Sequence, residues 1–118
     1  MLAALRSGKV KAFAHITGGG ILENVPRVLP KHLKVELDAQ NWPIQPVFGW
    51  IAGAGGVSET EMLRTFNCGL GAIMIISPQD KQHVLSMITE EHVYVVGQVK
   101  NIFGSKFYMV ATRRFQNL

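Results

Sequence analysis

Three consecutive glycines follow a histidine near the start of the chain, in the stretch HITGGG (His15 to Gly20). Glycines carry no side chain, so backbone N–H groups come close to a bound anion, and the N-terminus of a following helix adds a favourable dipole. The spacing is therefore compatible with a phosphate at Gly18, Gly19 and Gly20. Hydrogen bonds from His15 and Thr17 would complete such a site. A tight strand-to-helix turn explains the same glycines, and the pattern is neither a Walker loop nor a dinucleotide fingerprint.

A second stretch, RTFNCGLGA (Arg64 to Ala72), combines a helix end, a polar residue and two glycines before an apolar run. The Arg64 guanidinium is suited to a phosphate or a carboxylate, and Asn67 would exchange hydrogen bonds at the same place. The alternative is a helix C-cap at Gly69 with Arg64 as a surface charge, and the spacing alone favours that alternative. Cys68 has no histidine nearby in sequence, so we expect a small buried residue rather than a nucleophile.

A third stretch, NVPRVLP (Asn24 to Pro30), places two prolines around Arg27 and is therefore rigid. Its simplest role is to lead the chain to the next strand. The functional alternative is that this rigidity directs Arg27 or Asn24 toward a shared site.

Metal sites and catalytic triads are not indicated by the sequence. The four histidines are far apart and have no cysteine at ligand spacing: His15, His32, His83 and His92. No Ser/His/Asp or paired-carboxylate arrangement is found either. The sequence therefore predicts no metal ligands.

The composition indicates one folded domain over residues 1–118. Apolar residues make up 47% of the chain and charged residues 17%, which excludes a disordered chain. The net charge of +4 is scattered and has no nucleic-acid module around it, so we expect no nucleic-acid partner. One cysteine precludes an internal disulfide and favours a reducing compartment, the cytosol. No signal peptide is evident, and the longest apolar run, 69–76, is too short to span a membrane.

Apolar periodicity predicts the elements that must position these residues. Strands are expected at 11–16, 33–37, 71–77, 93–99 and 106–113. Helices are expected at 2–7, 21–25, 47–52, from Ser58 through Phe66, and at 79–89. Pro26 and Pro30 are expected to end the second helix, and Gly104 predicts a hairpin-like connection between the last two strands. The fold class is α+β (α/β), with helices on a mixed sheet, since helical crossovers between strands predict some parallel pairing.

Set together in this order, AFAHITGGGILENVPRVLP and EMLRTFNCGLGAIMII resemble the C-terminal domain of aminoimidazole ribonucleotide synthetase, the phosphoribosylformylglycinamidine cyclo-ligase. The resemblance covers nearly the whole chain, including WPIQPVFGWI and VYVVGQV. The segments LDAQNWPI and FNCG resemble the form inside the trifunctional purine-biosynthetic enzyme, beside glycinamide ribonucleotide synthetase and transformylase domains.

This resemblance implies a three-layer-like domain and a step of de novo purine synthesis. ATP phosphorylates the amide oxygen of formylglycinamidine ribonucleotide, and an internal nitrogen then closes the imidazole ring with loss of phosphate. Such a reaction needs N–H donors and cations positioned around the phosphate. The resemblance implies a catalytic role for His15. It also implies substrate or phosphate binding by Thr17, Gly18, Gly19, Gly20, Asn24, Arg64 and Asn67.

The resemblance also implies an N-terminal half with the acidic metal–ATP residues and the core of a homodimer, and we expect this sequence to start after it. ATP and Mg²⁺ would then be bound in the complete enzyme and not by this chain's own residues. We expect the isolated chain to be inactive and to expose apolar surface where the other half packs. The alternatives are a non-enzymatic remnant or binding module that keeps a phosphate site, and a related amidine-forming synthase.

Overall fold

A five-stranded sheet forms the centre of the fold. The computed structural model describes residues 2–88, 92–101 and 106–113. Within them the strands are β1 (Val10–His15), β2 (Lys34–Leu37), β3 (Leu70–Ile76), β4 (Val93–Lys100) and β5 (Lys106–Arg113). Their order across the sheet is β1-β3-β5-β4-β2. All seven residues of β3 are buried, as the continuous apolar run GAIMII predicts.

Helices cover both faces of this sheet. They are α1 (Leu2–Arg6), α2 (Gly20–Arg27), α3 (Pro46–Gly55), α4 (Glu59–Thr65) and α5 (Lys81–Met87), with 3₁₀ turns at Ala39–Asn41 and Pro78–Asp80. Side chains of α1 and α5 bury one face of the sheet, in a cluster of Ala4, Met74, Ile76, Val84, Ile88 and Val110. Residues of α2 bury the other face, where Ile21 and Val25 pack with Ile73 and Ile75 of β3. The α+β class is therefore confirmed.

The prediction of a mixed sheet was wrong, because every strand pairing in the described residues is antiparallel. The helical connections from β1 to β2 and from β3 to β4 do return the chain in the same direction, as a crossover requires. Strands β3 and β4 run parallel to each other, since both are antiparallel to β5, but β5 lies between them. Strands β1 and β2 also point the same way and lie at opposite edges of the sheet. Strands of equal direction are therefore never neighbours.

The predicted elements are present, with bounds that differ by a few residues. Helix α2 continues through Pro26 and ends at Arg27, so Pro26 does not stop the helix as predicted. Helix α3 is longer than the predicted 47–52 and continues to Gly55. The Ser58 hydroxyl accepts a hydrogen bond from the Glu61 N–H, which confirms the predicted N-cap of α4. The predicted Gly104 connection and the end of the helix at 79–89 lie outside the described residues.

Candidate phosphate site

The predicted phosphate loop joins the end of β1 to the start of α2. The Ile16 N–H donates to the Gly71 carbonyl at 2.9 Å and so anchors the loop to β3. The Gly20 N–H donates to the Thr17 carbonyl at 3.0 Å, which closes a tight turn. Gly19 and Gly20 have φ angles of 94° and 61°, a left-handed region that favours glycine. The loop is therefore an ordered turn whose shape needs its last two glycines.

Gly20 also brings the two sequence motifs into contact. A Cβ at Gly20 would overlap the Leu63 carbonyl oxygen and lie 2.8 Å from the Phe66 carbonyl oxygen. The start of α2 is thus packed directly on the last turn of α4. Backbone groups form this contact, so no side-chain movement relieves it. The HITGGG and RTFNCG stretches, which are more than forty residues apart, lie side by side for this reason.

Asn24 holds the loop from inside. Its side-chain amide donates to the carbonyls of Thr17 and Gly18, each at 3.2 Å, and of Gly20 at 2.7 Å. Its side-chain oxygen accepts from the Thr17 hydroxyl at 3.2 Å. With 6% of its surface exposed, Asn24 directs its polar atoms to the loop backbone. The geometry makes Asn24 a residue that positions the loop.

Charged side chains surround the loop on its α4 side. Arg64 forms ion pairs with Glu61 and with Glu23, the latter at 3.9 Å between Nε and Oε1. Arg27 pairs with the same Glu23 at 3.6 Å. The Arg64 side chain is 46% exposed, so a ligand in solvent has access to it. Sequence reasoning missed Glu23, although an acidic residue in the first turn after the glycines was a readable signal.

Open space remains on the solvent side of the loop. Gly18 is exposed, and a Cβ built on it meets no atom within 4 Å. His15 is exposed at the end of β1, opposite Ala72 of β3, and Thr17 is exposed beside Gly18. The glycine loop and Arg64 thus lie in one region of the surface, where an anion has room at Gly18. His15 follows Ala14, which faces the cluster that α2 covers, so the His15 side chain leaves the opposite face of β1.

Asn67 shapes a second loop, between α4 and β3. Its side-chain oxygen accepts from the Gly69 N–H at 2.9 Å, and its backbone carbonyl accepts from the Leu70 N–H at 3.0 Å. Cys68 and Gly69 have left-handed φ angles of 51° and 94°. The Trp42 indole N–H stabilises this turn by donating to the Cys68 carbonyl at 3.1 Å.

Cys68 is buried beneath this second loop, as the sequence predicts. Its thiol lies 3.7 Å from the Met62 carbonyl, and burial raises the pKa of the Cys68 thiol. A raised pKa keeps the sulfur protonated near neutral pH, which opposes nucleophilic chemistry. Cys68 is therefore a core residue of the layer that carries α4.

Helix α3 forms an apolar surface on the other side of α4. It contains no buried residue, and Trp50 is 71% exposed and Val47 53% exposed. The adjoining Ile44 is 41% exposed. A surface of this kind on a small domain is typical of an interface. The predicted exposed apolar surface is therefore present.

Two features are absent from the part of the chain that the structure describes. No three histidine, cysteine, aspartate or glutamate residues there are grouped so that they could hold a metal ion. No helix there has the length and apolar character needed to cross a membrane.

Residues 1–109 match the family model described as AIR synthase related protein, C-terminal domain. The chain belongs to this family. It is 54% identical over 101 residues to the trifunctional purine biosynthetic protein adenosine-3 of Homo sapiens, a match of 84% of this chain and 10% of that protein. It is 44% identical over 108 residues to the phosphoribosylformylglycinamidine cyclo-ligase of Neisseria gonorrhoeae, a match of 90% of this chain and 31% of that enzyme.

The resemblance predicted from the two motifs is thus confirmed. The chain spans about a tenth of the trifunctional relative and about a third of the single cyclo-ligase.

Proposed function

We propose that this chain is the substrate- and phosphate-binding C-terminal domain of a phosphoribosylformylglycinamidine cyclo-ligase, in the form found within the trifunctional purine-biosynthetic protein. The complete enzyme would convert formylglycinamidine ribonucleotide to aminoimidazole ribonucleotide at the expense of ATP. The proposal is supported by the names of the relatives. The structural observation that carries it is the glycine loop, fixed by Asn24 and packed against the helix that bears Arg64.

In this proposal the loop binds a phosphate group of the reacting ribonucleotide. The Gly20 N–H is already used within the turn, so the donors are the N–H groups of Gly18 and Gly19 and those of the first turn of α2, which have no partner within a helix. The Thr17 hydroxyl adds a short polar group at the rim. The Arg64 guanidinium supplies the positive charge that a phosphate dianion needs.

His15 would act at the edge of this site. Its imidazole has two ring nitrogens that are able to donate or accept a proton at a ligand oxygen or nitrogen. Its place at the end of β1 puts it next to the loop that follows. We assign Asn67 the same role in its loop that Asn24 has in the first, namely to fix the backbone. Both amides then preorganise the site.

The remaining chemistry would come from the rest of the enzyme. The described residues offer no carboxylate cluster for Mg²⁺, so we assign ATP and Mg²⁺ to the part of the cyclo-ligase outside this match. We propose that this part packs on α3, in a cytosolic enzyme that is a homodimer. The stretch 39–58, which contains α3, has no charged residue, and its neutrality suits an apolar partner surface.

Binding of formylglycinamidine ribonucleotide to the 118-residue chain tests the loop directly. We expect Gly18→Val to weaken the affinity measured by calorimetry at least about tenfold, because its side chain fills the open space without straining the backbone. Gly53→Val is the matched control, since a Cβ on this exposed glycine of α3 also meets no atom within 4 Å. Equal affinity of the two variants would contradict the phosphate loop.

A chimera tests the catalytic role. This chain would replace the matching segment of the Neisseria gonorrhoeae cyclo-ligase, and ADP release that depends on formylglycinamidine ribonucleotide would be measured. We expect activity from the chimera and none from the chain alone. A folded chimera that binds the ribonucleotide and releases no ADP would favour the alternative, a binding module that keeps the fold and the phosphate site.

A further inference from the structure

The glycine loop already has a carboxylate against it. Glu23 lies one helical turn after Gly19, and its side chain folds back over that glycine. A Cβ at Gly19 would overlap Glu23 Oε2 and lie 2.9 Å from Glu23 Cβ. The absence of a side chain at Gly19 is therefore what lets the carboxylate reach the start of its own helix. That position is where the helix dipole and the loop N–H groups attract negative charge.

The same carboxylate forms ion pairs with both nearby arginines. Its Oε2 lies 3.6 Å from Arg27 Nη2 and its Oε1 lies 3.9 Å from Arg64 Nε. These distances are at the long end for ion pairs, and the Glu23 side chain is 46% exposed. Exposed pairs of this kind are weak. Glu23 is therefore held at the loop loosely enough to be displaced by a better anion.

From these contacts we propose that Glu23 is an internal stand-in for the ligand phosphate, an inference that rests on the proposed function. In the free chain its carboxylate lies at the loop and pairs with Arg27 and, together with Glu61, with Arg64. A phosphate dianion takes its place and pairs with Arg64 and Arg27, while Glu23 turns to solvent. Because the carboxylate must leave before any anion binds, Glu23 lowers the affinity for every anion by the same factor. The phosphate dianion attracts the two arginines more strongly than a carboxylate does and is therefore best able to displace it.

A purely positioning role for Glu23 would have the opposite consequence. If the carboxylate served to hold Arg64 in place for the ligand, then removal of its charge would loosen Arg64 and weaken phosphate binding. If it is a competitor, removal of its charge strengthens binding. The sign of the change separates the two roles, and a loss of structure cannot imitate the increase.

The test is a titration of the wild-type chain and Glu23→Gln with inorganic phosphate at constant ionic strength. Amide shifts of Gly18 and Gly19 report binding. We expect Glu23→Gln to bind phosphate roughly three- to tenfold more tightly than wild type. The gain for acetate should be similar to the gain for phosphate, because the same carboxylate is displaced before either anion binds. Glu59→Gln removes the same charge from the far end of α4 and should leave both affinities unchanged.

Equal or weaker phosphate binding by Glu23→Gln, with binding by the wild type intact, would overturn the stand-in role and leave the phosphate loop standing. Phosphate binding by neither protein would overturn the loop itself and the stand-in with it. If Glu59→Gln bound phosphate more tightly by the same factor as Glu23→Gln, the change in net charge would explain the gain. That result would also overturn the inference.

Discussion

Helices α2 and α3 both contact α4. They differ in how much of their apolar surface the domain buries. Helix α2 buries Ile21 and Val25 to 1% exposure and turns Glu23 and Arg27 to solvent. It has the apolar stripe and charged face of an ordinary surface helix. Helix α3 has no charged residue and no buried residue. Only the first of the two helices has its apolar side closed by this domain.

A cavity between α3 and α4 also indicates that α3 is less closely packed on the domain than α2. A mostly apolar cavity of about 280 Å³ lies between α3 and α4, and Phe48, Met62 and Leu63 are among its lining residues. The ring of Phe48 packs edge-on against Phe66 at 6.1 Å between centroids. Helix α3 is thus attached by few side chains and is apolar above and below. The domain therefore buries the apolar side of α2 and leaves that of α3 exposed.

The largest loss of stability is expected from a substitution at the start of α2. Gly20→Ala forces a Cβ onto the Leu63 carbonyl and places a side chain at a φ of 61°. The left-handed conformation costs about 1–2 kcal/mol and the overlap roughly 1–3 kcal/mol more. Urea unfolding should therefore show a loss of roughly 2–5 kcal/mol in the free energy of unfolding. It should also show that α2 and α4 are one packed unit.

Gly18→Ala is the control for that prediction. Gly18 lies two residues earlier in the same loop, its φ is not left-handed, and a Cβ there meets nothing within 4 Å. We expect its free energy of unfolding to stay within about 0.5 kcal/mol of wild type. Similar losses in the two variants would mean that flexibility of the loop, and not the contact with α4, explains the glycines.

The next effect is expected from Asn24, which extends the buried face of α2 into the loop. Asn24→Ala removes a hydrogen-bond donor from three loop carbonyls, one of them on the buried residue Gly20. Unsatisfied buried groups cost about 1–3 kcal/mol, and we expect a loss of that size by thermal or urea unfolding. Asn67→Ala, which removes a single accepted bond, should lose about 0.5–1.5 kcal/mol. A larger loss for Asn67→Ala would contradict the central role of Asn24.

These two sites also show how far the sequence could be read. Local patterns predicted the strand at β3, the cap at Ser58 and the glycine loop, because each depends on neighbours in the chain. The contact of Gly20 with α4 depends on backbone groups more than forty residues away. The position of β5 between β3 and β4 is likewise a long-range pairing. No local pattern carries that information, so the mixed sheet was wrongly predicted.

A smaller effect is expected from Trp50, on the exposed side of α3. Trp50→Ser should change the free energy of unfolding by no more than about 0.5 kcal/mol, whereas Ile21→Ala in α2 should lose roughly 2–5 kcal/mol. In sedimentation experiments at high concentration the wild-type chain should self-associate through α3, and Trp50→Ser should do so less. If Trp50→Ser destabilised the protein nearly as much as Ile21→Ala, α3 would be packed against the domain as α2 is, and the contrast between the two helices would be wrong.

The smallest expected effect is a change in the pH dependence of the free energy of unfolding. Helix α3 has no ionisable side chain, so this dependence must arise in other elements. On the edge strand β2, Lys34 lies opposite Lys100 of β4, and such like charges destabilise a strand pair. Glu36 lies between them. A hydrogen bond from Lys100 at 2.9 Å, followed by the charges of Lys100 and Lys34, holds the pKa of Glu36 below its ordinary value of 4.5.

A carboxyl with a lowered pKa in the folded state stabilises the protein above its unfolded pKa. That contribution is lost as the pH falls through the lowered folded value. The free energy of unfolding should therefore decline less between pH 6 and pH 3 in Glu36→Gln than in wild type. Lys100→Gln should remove most of the same pH dependence, and 1 M salt should reduce it, because the pair is exposed. Trp50→Ser should leave the pH profile parallel to that of wild type, and a changed slope would mean that α3 contacts an ionisable group.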